Sequence, residues 1–163
     1  MFLIAGVLAY QPDILVVQEC EHPDKYIFNP TNRRPNSQYW YGDNKDKGIG
    51  ILSFNDYKIE LLTVFNPKFR YIMPFRVTGN GQTFTLFAIW AMDSKEIYEA
   101  RYIGQVWLAI NYSAELLMGS TILVGDFNCN KKWDYKARVG SLPTDAARQI
   151  PRLYADSRGL LLK

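Results

Sequence analysis

The stretch Pro12-Asp-Ile-Leu-Val-Val-Gln-Glu19 decides the fold class, because four apolar residues follow one another between a proline and a closing carboxylate. Continuous rather than alternating hydrophobicity favours a strand that is buried on both faces. A second apolar run, Thr121-Ile-Leu-Val124, has the same character and leads directly into Gly125-Asp-Phe-Asn128. The sequence therefore predicts two buried strands, each of which delivers polar side chains at its carboxyl end.

Shorter elements are predicted between these two strands. Four further segments are typical of strands: Gly48–Phe54, Lys58–Phe65, Arg70–Thr78 and Gln82–Trp90. Asn80-Gly81, between the last two, favours a type I′ hairpin, because both turn positions need a positive φ. The segment from residue 21 to residue 47 is rich in Pro, Asn, Asp and Lys. We expect it to be a long irregular loop.

Helical patterns complete the chain. Residues 1–9 are typical of the end of a core helix. Asp93-Ser-Lys-Glu96 resembles a capping box and opens an amphipathic pattern that continues to Leu117. Pro143–Ser157 predicts a last helix. Together with the strands, these helices predict a mixed α/β layer fold in a single domain, residues 1–163.

Composition and charge narrow the class of protein. The chain has 163 residues, of which 48% are hydrophobic and 21% charged, and these values exclude disordered, collagen-like and low-complexity proteins. The net charge of +3 is too small to indicate nucleic-acid binding by itself. The excess of Lys and Arg is concentrated in residues 131–163. A basic loop at the start of that segment predicts a phosphate-binding surface, and a solvated charged face is the competing interpretation.

Two cysteines and the apolar start of the chain bear on its compartment. Cys20 and Cys129 are too few for a disulfide framework, so we expect two reduced, buried thiols in a cytoplasmic protein. Residues 1–9 lack a basic leader region, and they are about half the ~20 apolar residues that a spanning helix needs. We therefore expect no membrane span.

Glu19, Asp126 and Asn128 form the candidate site on residue pattern alone. Each follows a predicted buried strand, and ligand sites of α/β sheets lie at the carboxyl ends of strands. If the chain stays extended, the period of two puts Asp126 and Asn128 on the same side. Their carboxylate and amide oxygens suit a hard divalent cation such as Mg²⁺ and support metal-assisted attack of water on a phosphoryl group. The competing interpretation is a solvated loop residue or a helix N-cap at each strand end.

Three motifs follow one another along the chain: Pro12-Asp-Ile-Leu-Val-Val-Gln-Glu19, Lys47-Gly-Ile-Gly-Ile-Leu-Ser53 and Ile122-Leu-Val-Gly-Asp-Phe-Asn128. Together they resemble the motifs of the endonuclease/exonuclease/phosphatase superfamily, a group of Mg²⁺-dependent phosphodiesterases. The resemblance implies a four-layered α/β sandwich with its site at the top of two packed sheets. It also implies that Glu19 binds the metal (Mg²⁺ or Mn²⁺) and that Asp126 orients or activates the attacking water. Asn128 would bind the scissile phosphate or help to hold Asp126.

The same resemblance sets expectations about missing parts. Family members begin with a strand that carries a metal-site Asn and end with an Asp-His pair, whereas the one histidine here is His22. We therefore expect a chain truncated at both ends, without the first and last strands of the fold. Trp90 stands where many members place a His or Asn that contacts the phosphate.

These observations lead to one enzymatic hypothesis and two alternatives. The intact protein is predicted to be a metal-dependent phosphodiester hydrolase that acts on a phosphate ester, with DNA among the candidates. Its predicted substrate-binding residues are Trp90, Lys131, Lys132 and Trp133. The alternatives are a non-catalytic remnant that binds phosphate or nucleic acid, and an inactive gene fragment that does not fold stably.

Overall fold

The computed structural model describes residues 6–25, 33–94 and 101–129. Its strands and its main helix are, in chain order, β1 (Ile14–Cys20), β2 (Ser37–Asn44), β3 (Lys47–Ser53), β4 (Lys58–Leu61), β5 (Ile72–Gly79), β6 (Gln82–Trp90), α1 (Ile103–Tyr112) and β7 (Thr121–Asp126). Residues 6–8 are also helical. Short 3-10 turns cover Pro23–Lys25, Pro67–Phe69 and Ala114–Met118.

The strands form two sheets. In the first sheet β3 lies between β1 and β2 and pairs antiparallel with both. In the second sheet the order is β4-β5-β6-β7, with β5 antiparallel to both of its neighbours and β7 parallel to β6. A parallel pair needs a crossover connection, and α1 lies in the one that joins β6 to β7.

Three apolar clusters separate four layers. The central core lies between the two sheets and is built from β3, β5 and β6, with Ile49, Ile51, Met73, Phe75, Val77, Leu86 and Ala88 buried there. The other face of the second sheet packs on α1, where Phe87 meets Val106. The other face of the first sheet packs Leu52 and Phe54 with Leu8 of the helical residues 6–8. Helix, sheet, sheet and helix follow one another, so the predicted α/β sandwich is confirmed.

The predicted loop over residues 21–47 is wrong at Ser37–Asn44, which forms β2. Tyr39 and Tyr41 point into the central core, where each ring meets an aromatic side chain edge to face. Trp40, between them, packs on the opposite face of the sheet. The alternation of a strand is therefore present, but it is short and it is surrounded by Asn, Asp and Lys residues of the kind that fill turns.

The Asn80-Gly81 hairpin is confirmed. The angle φ is 48° at Asn80 and 72° at Gly81, and β5 pairs with β6 in an unbroken register. The predicted helix after Asp93 is confirmed over Ile103–Tyr112, and Tyr102, which directly precedes it, is not helical, with a φ of 48°. Residues 95–100 lie outside the described ranges.

Two predicted elements are shorter in the structure. The strand β4 ends at Leu61 rather than at Phe65, because a turn follows in which the N–H of Phe65 donates to the carbonyl oxygen of Leu62 at 3.0 Å. The helix α1 ends at Tyr112 rather than at Leu117, and a 3-10 turn continues the chain from there.

Burial on both faces is found only in part for the two decisive strands. In β1, Val17 is buried, while the residues before it are half-buried. In β7, Leu123 packs towards α1 and Val124 towards the central core, but Ile122 is 45% exposed. The prediction of complete burial is wrong for β7, because no described element covers Ile122.

The thiols and the membrane prediction are tested in part. Cys20 is buried and its Sγ donates to the carbonyl oxygen of Val17 at 3.4 Å, whereas Cys129 is exposed, against the prediction of a buried thiol. Among the described residues, no helix combines the length and the apolar character that crossing a bilayer demands. The helix predicted at Pro143–Ser157 lies outside the described ranges, and the single-domain bounds stay a prediction.

Candidate active site

The carboxyl ends of β1, β6 and β7 meet at one edge of the two sheets. Across the space between the sheets, Gln18 Nε2 donates to the carbonyl oxygen of Ile89 at 3.2 Å. Within the second sheet, Trp90 and Asp126 are register partners, so the ends of β6 and β7 lie side by side. Because Glu19 follows Gln18 directly, this edge collects predicted site residues from both sheets. It is called the site edge below.

Gly125 makes the close approach of these strands possible. Its φ is 140°, in a region that side chains rarely adopt. A Cβ at this position would lie 1.9 Å from the carbonyl oxygen of Ile89 and 2.8 Å from Gln18 Nε2. Any side chain here would therefore push β7 away from β6 and from the end of β1. The contact also shows that the residues immediately before Glu19 and Asp126 lie against each other.

Glu19 is held in an unusual backbone conformation at the end of β1. Its φ is 55°, and a bulge shifts the pairing of β1 with β3 between Val17 and Cys20. The indole Nε1 of Trp40 donates to the carbonyl oxygen of Cys20 at 3.2 Å and anchors the chain just beyond the bulge. The side chain of Glu19 is 58% exposed, so its carboxylate is open to solvent and to a ligand.

Trp40 depends on glycines to reach this position. A Cβ at Gly42 or at Gly48 would lie 2.4 Å from atoms of its ring. The indole therefore lies flat across β2 and β3 only because both positions lack a side chain. His22, on the chain segment after Glu19, meets the same indole edge to face at 4.8 Å. These contacts fix the backbone on which Glu19 is carried.

Lys47, the first residue of β3, is the partner of Glu19. Its Nζ lies 3.1 Å from Glu19 Oε2 and 5.3 Å from the centroid of the Trp90 ring, within the range of a cation–π contact. Trp90 is only 2% exposed, and the Tyr71 ring packs against it at 4.7 Å. A buried aromatic pair thus lies beneath an ammonium group at the site edge.

The chain turns after Asp126 instead of staying extended. Asn128 has a φ of 45°, and its N–H donates to Asp126 Oδ1 at 2.9 Å. Asn128 Nδ2 donates to the carbonyl oxygen of Ala91 at 2.7 Å, and the N–H of Ala91 donates to the carbonyl oxygen of Asp126 at 2.8 Å. The expectation that a period of two aligns the side chains is therefore wrong. The left-handed Asn128 closes an Asx-type turn around the carboxylate, and the two residues stay neighbours.

Arg70 adds a second cation to the same edge. It directly precedes Tyr71, whose carbonyl oxygen accepts from the N–H of Trp90 at 3.0 Å. Arg70 Nη1 lies 3.0 Å from Asp43 Oδ2. Burial, and then the negative charge and hydrogen bond of Asp43, raise the pKa of the Tyr71 phenol. The phenol therefore stays neutral beside this charged pair.

The donor chemistry of the site edge fits a hard cation that is shared with a substrate. Glu19 offers exposed carboxylate oxygens, and Mg²⁺ is commonly held by one or two carboxylates together with waters and substrate phosphate. No group of three or more His, Cys, Asp or Glu side chains that suits a metal is found in residues 6–25, 33–94 and 101–129. The described side chains therefore fit an ion held partly by its ligands from solution, and they do not form a closed protein cage.

Comparison with known proteins identifies the family. Residues 2–152 match the model of the Endonuclease/Exonuclease/phosphatase family. The chain belongs to this family. No curated protein matches it. A solved structure described as the crystal structure of humanized D. rerio TDP2 by 14 mutations matches with a TM-score of 0.52 and 21% sequence identity, over 86% of this chain and 59% of that chain. At this identity the likeness shows the fold, an α/β sandwich, and the chain spans less than two thirds of that structure.

Within the family fold, the predicted site residues divide into two groups. Those brought to the site edge are Glu19, Trp90, Asp126 and Asn128. Those that lie outside the described residues are Lys131, Lys132 and Trp133. Trp90 is buried and presents its ring to Lys47.

Sequence reasoning missed the two cations of the site edge. A sequence signal for Lys47 exists. It is the first residue of the second strand motif, and the third motif ends at the site edge, where Lys47 lies. Arg70 carries no such signal. Its position depends on the register of β5 against β6, which brings the residues before Ile72 beside the end of β6.

Proposed function

We propose that this member of the Endonuclease/Exonuclease/phosphatase family is a metal-dependent phosphodiester hydrolase. The observation that carries the proposal is the meeting of β1 and β7, where Gln18 lies against Gly125 and brings Glu19 and Asp126 to one edge. Two exposed carboxylates, one from each sheet, then lie at the same edge. That arrangement suits water attack on a phosphate held between them.

Glu19 would hold the metal ion, Mg²⁺ or Mn²⁺, with water and phosphate oxygens as the remaining ligands. When bound, the ion would neutralise charge on the phosphate oxygens. The chain supports this role by holding Glu19 on a rigid frame, because the Trp40 indole anchors the backbone at Cys20. A fixed carboxylate loses little conformational freedom when a ligand binds.

Asp126 would orient the attacking water and take its proton. Its Oδ1 already accepts from the N–H of Asn128, and its second carboxylate oxygen has no hydrogen-bond partner among the described residues. A water held there would lose a proton to Asp126 as its oxygen bonds to phosphorus. The bond from phosphorus to the leaving oxygen breaks in the same step, and that oxygen takes a proton from solvent.

Asn128 would act mainly by holding Asp126. Its backbone N–H fixes the carboxylate, and its side-chain Nδ2 is bonded to the carbonyl oxygen of Ala91. These contacts favour the second of its two predicted roles, support of Asp126 rather than direct binding of the phosphate.

The substrate would be a phosphate ester, with DNA among the candidates. Lys47 and Arg70 supply positive charge at the site edge, and the ammonium group of Lys47 contacts the buried Trp90 ring. Lys131, Lys132 and Trp133, which follow Asn128 closely in the chain, remain proposed substrate contacts from the sequence alone. Their charge and their aromatic ring suit a phosphate backbone and its bases. A cytoplasmic location likewise remains a proposal from the cysteine content.

The test is hydrolysis of bis-p-nitrophenyl phosphate and of a nicked or abasic DNA duplex, with Mg²⁺, with Mn²⁺ and with EDTA. Asp126→Ala is expected to lower the metal-dependent rate by about 10²- to 10⁴-fold, the usual contribution of a positioned acid or base. Glu60→Gln is the matched control, because Glu60 is an exposed carboxylate on β4 that pairs with Arg76. Its rate should equal that of the native protein.

An unchanged rate in Asp126→Ala would overturn the proposal. Salt-dependent DNA binding without any metal-dependent turnover would also overturn it and would favour the non-catalytic binding protein. A cooperative thermal melt of the whole chain accompanies each assay, because it separates loss of chemistry from loss of folding.

A further inference from the structure

Lys47 supplies positive charge at the site edge, and two contacts of its ammonium group point to a more specific role. Its Nζ contacts the proposed metal ligand Glu19 on one side and the Trp90 ring on the other. Both charged side chains are about half exposed, with values of 51% for Lys47 and 58% for Glu19. The pair is therefore accessible to ions and substrates, and it is not a buried element of the core.

We propose that Lys47 is the counter-ion that a metal displaces from Glu19, and that its ammonium group then pairs with the phosphate of the substrate. The inference rests on the proposed function in one respect, the identity of Glu19 as the metal ligand. In the ion-free protein the lysine neutralises the carboxylate. When a divalent cation binds, the charge of the lysine becomes available to an anion at the same edge.

The geometry supports an exchange rather than a permanent ion pair. A lysine ammonium is a point charge on a flexible stem, so it leaves a carboxylate without the loss of a bidentate geometry. The Trp90 ring gives it a second, uncharged contact that does not depend on Glu19. The Trp90 ring is itself fixed, since it is buried and packed against Tyr71. Lys47 would therefore stay at the site edge, in contact with the Trp90 ring, when Glu19 binds the metal.

Two opposite effects follow from this arrangement. A positive charge 3.1 Å from Glu19 competes with any divalent cation for that carboxylate, so removal of the charge should tighten metal binding. The same removal should weaken phosphate binding, because the freed ammonium is the group that meets the anion. A lysine that only supports the fold would weaken both.

The test is Mn²⁺ binding to the whole chain by isothermal titration, with Lys47→Met as the variant. Its dissociation constant for Mn²⁺ should fall by about two- to five-fold, the upper part of the range expected for one exposed ion pair. Lys47→Arg keeps the charge and should stay within about two-fold of the native value. Lys58→Met is the control for a lysine at the opposite end of the sheets, where Lys58 pairs with Thr78. In a Glu19→Gln background, Lys47→Met should no longer change Mn²⁺ binding.

Inorganic phosphate is the second probe. At saturating Mn²⁺, Lys47→Met should weaken phosphate binding by about ten-fold or more, while Lys58→Met leaves it unchanged. Tighter Mn²⁺ binding together with weaker phosphate binding supports the proposal. Weaker or unchanged Mn²⁺ binding in Lys47→Met overturns it, and so does unchanged phosphate binding. If the fold of Lys47→Met is impaired, Lys47→Gln carries the same two expectations.

Both binding measurements are independent of turnover. A native protein that binds Mn²⁺ and phosphate with these effects, but hydrolyses no ester, would overturn the hydrolase proposal and leave the role of Lys47 standing. If the native protein hydrolyses the ester, but Lys47→Met binds Mn²⁺ and phosphate as the native protein does, the role of Lys47 is overturned and the hydrolase proposal stands.

Discussion

The two ends of the β5–β6 pair are built in opposite ways. At one end, Asn80 and Gly81 close a tight hairpin from two residues that suit a positive φ. At the other end lies the site edge, where Gly125 and Asn128 adopt positive φ angles that are fixed by contacts with residues distant in the chain. The hairpin is therefore specified locally, whereas the site edge is specified by tertiary structure.

The two ends also differ in which residue types carry the positive φ angles. Glu19, Arg70 and Asn128 all carry a positive φ at or beside the site edge, although none of them is glycine. Such conformations cost of order 1–3 kcal/mol each, and they persist where the surrounding structure enforces them. The hairpin keeps this cost low because its two positive-φ positions are asparagine and glycine, the residues that tolerate such angles best. Gln11 and Asn55 also carry a positive φ elsewhere in the fold, so the site edge is distinguished by the charged, exposed side chains at such positions and not by strain alone.

The largest expected difference in stability is between alanine variants of two glycines. Gly125→Ala should lower the free energy of unfolding by about 3 kcal/mol or more, because the new Cβ would meet backbone at 1.9 Å. Gly81→Ala has open space around it and should cost only about 1–2 kcal/mol, the penalty of a positive φ. Urea denaturation of both variants measures the difference. Equal losses would show that strand packing at Gly125 is not the constraint.

A second comparison uses the two asparagines. Asn128→Ala should lose about 1–2 kcal/mol of stability, because it removes both the left-handed preference and the bond to Ala91. Asn128→Gly restores the backbone preference and should recover part of that stability, but it should stay about ten-fold slower in hydrolysis. Asn80→Gly should match the native protein in both respects. A fully active Asn128→Gly would contradict the role of the side chain.

These variants also show what the sequence could predict. The hairpin was predictable because Asn80-Gly81 carries its own conformational preference, and the ends of β1 and β7 were predictable because apolar runs stop at polar residues. The strand β2 was not, because its alternation is short and its neighbours resemble turn residues. Arg70 was not, because its place at the site edge depends on the register of β5 against β6. Lys47 begins a strand motif that the sequence shows, but its contacts with Glu19 and Trp90 depend on strand register and on the meeting of two sheets.

Alkaline pH should lower the stability of the protein through two phenols of the central core, Tyr39 and Tyr71. Burial is the main cause that raises the pKa of both Tyr39 and Tyr71. A raised folded-state pKa means that the unfolded chain loses these protons first, so stability is intact below about pH 10 and falls as the pH rises further. Tyr71→Phe should make this fall shallower, because phenylalanine has no proton to lose in either state.

Denaturation curves at pH 8, 9.5 and 11 test this expectation. Tyr112→Phe is the control, because Tyr112 is 57% exposed. If Tyr71→Phe lost stability between pH 9.5 and 11 as steeply as the native protein, burial of that phenol would not be the cause. Tyr39, the other phenol of the central core with a raised pKa, would then be tested in the same way.

The smallest expected effect is on DNA binding, and it distinguishes two arginines. Arg70 lies just before β5, and Arg76 lies on β5. Arg70 and Arg76 each pair with an exposed carboxylate, at 3.0 and 3.4 Å, but Arg70 lies at the site edge and Arg76 six residues away. Arg70→Gln should weaken binding of a DNA oligonucleotide by about three- to five-fold and lower the salt slope by about one. Arg76→Gln should change neither. Equal effects would place the binding surface elsewhere.

The most direct measurement is a double-mutant cycle of Glu19→Gln and Asp126→Asn, read as metal-dependent hydrolysis of bis-p-nitrophenyl phosphate. Because the two carboxylates serve one reaction at one edge, each single variant should lose about 10²-fold or more. The double variant should then be no slower than the slower single variant. Losses that multiply in the double variant, or a single variant with the native rate, would contradict the claim that β1 and β7 form one active centre.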